Sequence, residues 1–93
     1  MIAVTQKDNF TVIDFSTLED WNSFDKILSL LKEHFDAKIV EQIEGPESRV
    51  CFINIHDHIF SLHNNPYGNY LKPRNSASNK LIQELLPKFK EIF

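Results

Sequence analysis

Leu18, Trp21, Phe24, Leu28, Leu31 and Phe35 recur at spacings of three and four, and no other feature constrains the fold of this chain as tightly. Only a helix brings such positions onto one side, here a helix of about five turns with a single apolar stripe. Just before it, Ser16-Thr17-Leu18-Glu19 matches the S-x-x-E capping box, in which each end satisfies an orphan backbone amide of the other. A helix with one apolar face must lie on something, and the rest of the chain supplies a sheet.

Residues 10–15, FTVIDF, read as a first strand and residues 38–44, KIVEQIE, as a second. Gly45-Pro46 breaks the second strand, because proline cannot continue a ladder. SRVCFINIH, rich in β-branched and aromatic residues, reads as a third strand and HIFSLHN as a fourth. The turn Asn64-Asn65-Pro66-Tyr67-Gly68 follows, with a short extension at NYLKP closed by Pro73. A last helix, capped by Ser76 or Ser78, carries Leu81, Ile82, Leu85, Leu86, Phe89, Ile92 and Phe93, with Pro87 set to kink or split it. The fold class is therefore α+β: an antiparallel sheet of about four strands, two helices packed on one face, and the order β-α-β-β-β-α. Strand order is not fixed by these patterns. A crossover through the first helix makes the first and second strands parallel without making them neighbours.

Ninety-three residues make a single domain. The one cysteine, Cys51, excludes an internal disulfide and a thiolate zinc cluster, and it sits in an apolar run that suits a buried thiol. The first ten residues lack a signal peptide's basic and apolar regions, and no apolar run approaches the ~20 residues of a membrane helix. The cytoplasm is the expected compartment. Residues 1–47 hold ten acids against four lysines, a net of −6, whereas residues 48–93 hold six basic residues against three acids, a net of +3. The acidic half argues against nucleic acid as a partner and suits a basic one.

Three of the four histidines fall in His56-Asp57-His58 and His63. The i, i+2 spacing suits a metal site on a strand. The chain must reverse there, however, and Asp57-His58 stands where Asp-Gly commonly makes a two-residue turn, so the histidines read as turn and surface residues. His34, near the end of the first helix, faces the negative end of its dipole. No nucleophile elbow, P-loop, dinucleotide fingerprint or HExxH motif occurs, so no enzyme activity, catalytic residue, metal site or cofactor is expected. Tyr67, between Pro66 and Gly68 at the tip of a turn, reads as a contact residue, since tyrosine offers large area at low entropy cost.

The element order of residues 17–92 resembles that of double-stranded-RNA-binding domains. Those domains hold phosphates with a lysine cluster opening the second helix, where NSASNKL here offers only Lys80. The stretch GPESRVCFINIHDHIFSLHNNPYGNYLKP, residues 45–73, followed by a Ser/Asn-capped Leu-rich helix, resembles small immunity proteins of bacterial contact-dependent-inhibition and other polymorphic toxin systems. The chain departs from that pattern at His58, where glycine commonly follows the turn aspartate. The resemblance implies a cytoplasmic protein that binds one cognate toxin domain, a nuclease by preference, and blocks its active site without catalysis of its own. The alternative is a small cytoplasmic domain acting as a homo-oligomeric interaction module through a free sheet edge. The expected contact set is Glu41, Glu44, Glu47 and Tyr67, because carboxylates can fill the basic cleft in which a nuclease holds phosphate. Asp20, Asp25 and Glu33 of the first helix form a rival acidic set. Neither nucleic acid nor membrane is expected as a partner.

Overall fold

The computed structural model describes every residue except Met1, Ser16, Thr17, Glu19, Asp20, Tyr67 and the side chain of Trp21. The S-x-x-E box at residues 16–19 and the inward role of Trp21 therefore lie outside the described residues. The elements run β1 (Ala3–Lys7), β2 (Phe10–Asp14), α1 (Trp21–Phe35), β3 (Lys38–Glu44), β4 (Arg49–Ile55), β5 (His58–Asn65), β6 (Gly68–Pro73) and α2 (Ser76–Ile92). The class is α+β and the sheet antiparallel, but it has six strands rather than four, in the spatial order β1-β2-β6-β5-β4-β3. The order along the chain is thus β-β-α-β-β-β-β-α, not β-α-β-β-β-α.

Two strands account for the difference. β1 is exposed along its whole length, so it carries almost no apolar signal. A two-residue turn, Asp8-Asn9, holds it on β2 with both residues at positive φ (53° and 68°), a conformation Asp and Asn tolerate and this kind of hairpin requires. β6, expected as an extension, is a full strand between β2 and β5. His56-Asp57 makes the β4–β5 turn at φ 51° and 66°, and Asp57 N–H donates to Asn54 Oδ1 at 2.9 Å. The turn lies one residue earlier than Asp57-His58, because His58 already pairs with Ile55.

Each strand pairs antiparallel with its neighbour, so β2 and β3 run parallel with three strands between them. α1 makes the crossover. Strand alternation turns Ile13, Cys51, Ile53, Ile55, Phe60, Leu62 and Leu71 toward the helices, where they meet Phe24, Ile27, Leu31, Phe35, Ile82 and Phe89 in one buried cluster. Both helices therefore cover the same face, and Phe35 stacks on Phe89 with centroids 4.3 Å apart to join them. α1 has 15 residues, about four turns, since Leu18 lies ahead of it. α2 is capped by Asn75, not by Ser76 or Ser78: Asn75 Oδ1 accepts from Ser78 N–H while Ser78 Oγ accepts from Asn75 N–H. It continues through Pro87 without splitting. No helix among the described residues is long and apolar enough to cross a membrane.

Candidate binding face and its free edge

One face of the sheet carries no helix. Pairing registers lay two rows of side chains across it. The first runs Asp14, Tyr70, His63, Val50, Ile43, and the second runs Lys72, Ser61, Phe52, Glu41. His63 and Tyr70 stand side by side with rings 4.7 Å apart and only 4° from parallel. Ser61 Oγ fixes the imidazole through a 2.7 Å hydrogen bond to His63 Nε2. Burial against its neighbours, then the charge of Lys72, lowers the His63 pKa below its ordinary value, which favours the neutral ring.

The His63–Tyr70 stack is a ridge between two shallow grooves. A groove of about 440 Å³ is walled by Val40 and Glu41 on one side and by Lys72 and Arg74 on the other, over Phe52 and Ser61. The second, about 290 Å³, lies toward β1 among Thr5, Lys7, Val12, Asp14 and Lys72. Among the described residues Lys7, Lys72 and Arg74 make no ion pair. A chain of net charge −3 thus offers, beside these grooves, three cations against the carboxylates of Asp14 and Glu41.

Ser61–His63 is a hydroxyl–imidazole contact that sequence inspection missed, although i, i+2 spacing on a strand would have revealed it. No described carboxylate reaches the other ring nitrogen, so the orienting member of a nucleophilic triad is lacking among the described residues. The bond holds the ridge upright. His58 and His63 point to opposite faces, since His58 pairs with inward Ile55 and His63 with outward Val50. No group of three or more His, Cys, Asp or Glu among the described residues could hold a metal ion.

The expected contact residues separate. Glu41 lies on the helix-free face beside Phe52, whereas Glu44 pairs with Arg49 on the opposite face. Arg49 donates to both carboxylate oxygens of Asp25, at 2.9 and 3.2 Å, approaches Glu44 at 3.4 Å and lies 4.4 Å from the centre of the Phe24 ring. Glu44 and Asp25 are therefore engaged in joining α1 to β4. Glu47 is exposed in the β3–β4 turn. Tyr67 lies outside the described residues. The β5–β6 and β3–β4 connections stand at the same end of the sheet, because Arg49 pairs with Asn64 and Asn65 with Gly68. Of the rival set, Glu33 is exposed and Asp20 lies outside the described residues.

The edge of this face is unusual. Four large hydrophobics are exposed among the described residues: Val4 at 37%, Ile39 at 37%, Val40 at 59% and Ile43 at 52%. Three of the four belong to β3. No protein-family model, curated protein or solved structure matches the chain.

Proposed function

We propose that this chain is a protein-binding module of the immunity-protein type, which neutralises a cognate toxin domain, a nuclease by preference, by occluding its active site. The observation that carries the reading is the helix-free face, where Phe52, Val50 and the His63–Tyr70 stack lie among the charged side chains of Glu41, Lys72 and Arg74 and end at the exposed Val40 and Ile43 of β3. Surfaces of that composition mark interaction sites in soluble proteins. Glu41 at its edge and Glu47 in the β3–β4 turn are the carboxylates available to a basic cleft, and Tyr67 is the further contact residue.

The test is genetic and then physical. A reading frame beside this one should encode a toxin whose terminal domain kills the host cell when expressed alone, and co-expression of this chain should restore growth. Failure to protect against that toxin, with both proteins soluble, sinks the reading. With the toxin domain in hand, Glu41→Lys with Glu47→Lys should slow association and flatten its salt dependence. Tyr67→Ala should act on dissociation. If Glu33→Lys alone weakens binding, the helical surface is the contact instead. A second reading, self-association through the β3 edge, is favoured by the same exposed aliphatics. Light scattering of the pure protein separates the two, since the immunity reading requires no dimer.

A further inference from the structure

We propose that the free edge of β3 is a strand-docking site, which takes up an extended basic and apolar segment of a partner protein as a seventh strand of the sheet. This rests on the protein-binding reading above and specifies the partner segment. The sheet has two edges, and both are exposed along their whole length. They differ in what they present. β1 offers one exposed aliphatic, Val4, among Ala3, Thr5, Gln6 and Lys7, whereas β3 offers Ile39, Val40 and Ile43. An edge strand is a row of unpaired N–H and C=O groups, and proteins usually guard it with charge, proline or a bulge.

β3 has a bulge, but only between Ile39 and Glu41. From Glu41 to Glu44 its register with β4 is regular, so that half of the edge keeps the geometry an added strand needs. Alternation fixes what that strand should carry. Beside Glu41 it wants a cation and beside Ile43 an apolar side chain, both on the helix-free face. Beside Gln42 a polar side chain suffices, and beside Glu44 a second cation completes the set. Cross-strand pairs of opposite charge stabilise such an arrangement and like charges oppose it.

The same charges argue against a second copy of this chain as the occupant. A two-fold antiparallel pairing sets residues of the same face opposite each other, either Gln42 against Gln42 or Ile43 against Ile43. Neither register brings Lys38 opposite a glutamate, while both crowd Glu41, Glu44 and Glu47 of the two copies along one short seam. Glu44 meets Arg49 on the β4 side but its side chain is 59% exposed, so it remains an edge charge with Glu41 and Glu47 against Lys38, and two such edges repel. A basic segment turns that repulsion into attraction. Val40 and Glu41 also wall the larger groove, so side chains of the added strand continue onto the helix-free face.

The experiment uses the full chain, labelled with ¹⁵N, and the capped peptide Lys-Val-Thr-Lys-Val-Thr as probe. Titration should move the β3 amide signals, and slow their hydrogen exchange, in a monomeric protein. Replacing both lysines of the peptide by glutamate should weaken binding about tenfold through two reversed cross-strand pairs. N-methylation of alternate peptide amides should abolish it, because strand addition depends on main-chain hydrogen bonds. Glu41→Lys with Ile43→Lys should lose the unmodified peptide while keeping a dispersed spectrum. Absence of binding, binding indifferent to N-methylation, or shifts confined to Phe52, His63 and Tyr70 overturns the proposal. So does a dimer whose β3 amides are protected without peptide. None of these readouts involves toxin neutralisation, so the two ideas fail separately: protection of cells by a chain that binds no strand discards the docking site and leaves the immunity reading standing, and strand binding without any toxin partner does the reverse.

Discussion

Arg49 illustrates how one side chain can look ordinary in sequence and be decisive in the fold. It lies at the start of a strand, where a surface cation would be the usual reading. Here its side chain is only 9% exposed, and α1 reaches it through Asp25 and Phe24. The hydrogen bonds from Arg49 hold the Asp25 carboxyl below its ordinary pKa. That contribution is present at neutral pH and is lost as pH falls through the lowered value. Asp25→Ala leaves a buried guanidinium short of an acceptor and should cost about 1–3 kcal/mol in urea unfolding. The loss should shrink in an Arg49→Leu background; an equal loss there would mean that the pair is not coupled. His63 shifts in the same direction with the opposite charge. Its folded pKa lies below the ordinary 6.5, so the unfolded chain binds the proton more readily. Its contribution is complete above the ordinary value and falls away as pH drops through the folded one. Between about pH 7.5 and 5, melting temperature should fall more in the wild type than in His63→Phe, which keeps the ring beside Tyr70 but cannot titrate. Parallel curves for the two proteins would remove His63 from the cause.

At the scale of elements, the stretch HNNPYGNY turns out to do two jobs. Its odd-numbered residue His63 and its partner Tyr70 build the outward ridge, while Asn64 and Asn69 face inward. Asn64 Nδ2 donates to Asn69 Oδ1 at 2.6 Å, and Asn69 Nδ2 donates to the Leu18 carbonyl, also at 2.6 Å. The hairpin thus holds the connection between β2 and α1. Gly68, at φ 134°, ends the turn in a conformation that side chains rarely adopt. Asn69→Ala strands the Asn64 amide and the Leu18 carbonyl and should cost about 2–4 kcal/mol, read from thermal or urea unfolding. A near-neutral result would mean that water replaces the network. α2 is fixed in a similar way, by Asn79 Oδ1 accepting from Thr11 N–H at 2.7 Å and by Gln83 Nε2 donating to Thr11 Oγ1 at 3.1 Å.

At the scale of the whole molecule, the apolar residues divide into a core shared by both helices and a rim that is shared with nothing. Phe89 belongs to the first group: it is fully buried and stacks on Phe35 and Phe93. Phe89→Ala should cost about 3–5 kcal/mol, close to the entire stability of a small domain. Val40→Lys and Ile43→Lys should each cost less than about 0.5 kcal/mol, because exposed aliphatics stabilise little when nothing covers them. Denaturation of the three variants side by side checks the division. A large loss in either β3 variant would place that edge in the core and withdraw it as a contact surface.

Much of this architecture was legible in the chain itself. The stripe from Phe24 to Phe35 requires a helix, alternation around Cys51 and Leu62 requires strands, and Gly45-Pro46 and Asn65-Pro66 require reversals, since each of these is a property of neighbouring residues. The parallel course of the strands on either side of α1 also follows from the crossover alone. The pairing of β2 with β6, which joins Ile13 to Leu71, could not be read, because no local pattern states which distant edge a strand will meet. That pairing places β6 inside the sheet and gives Tyr70 two neighbouring strands. Nor could the sequence distinguish Ile39 and Ile43 on an open edge from Ile53 and Ile55 in the core. All four are isoleucines in strands, and only the tertiary structure parts them: Ile43 points to the helix-free face, while Ile39, paired with inward Ile53, lies on an edge strand that the helices leave open to solvent.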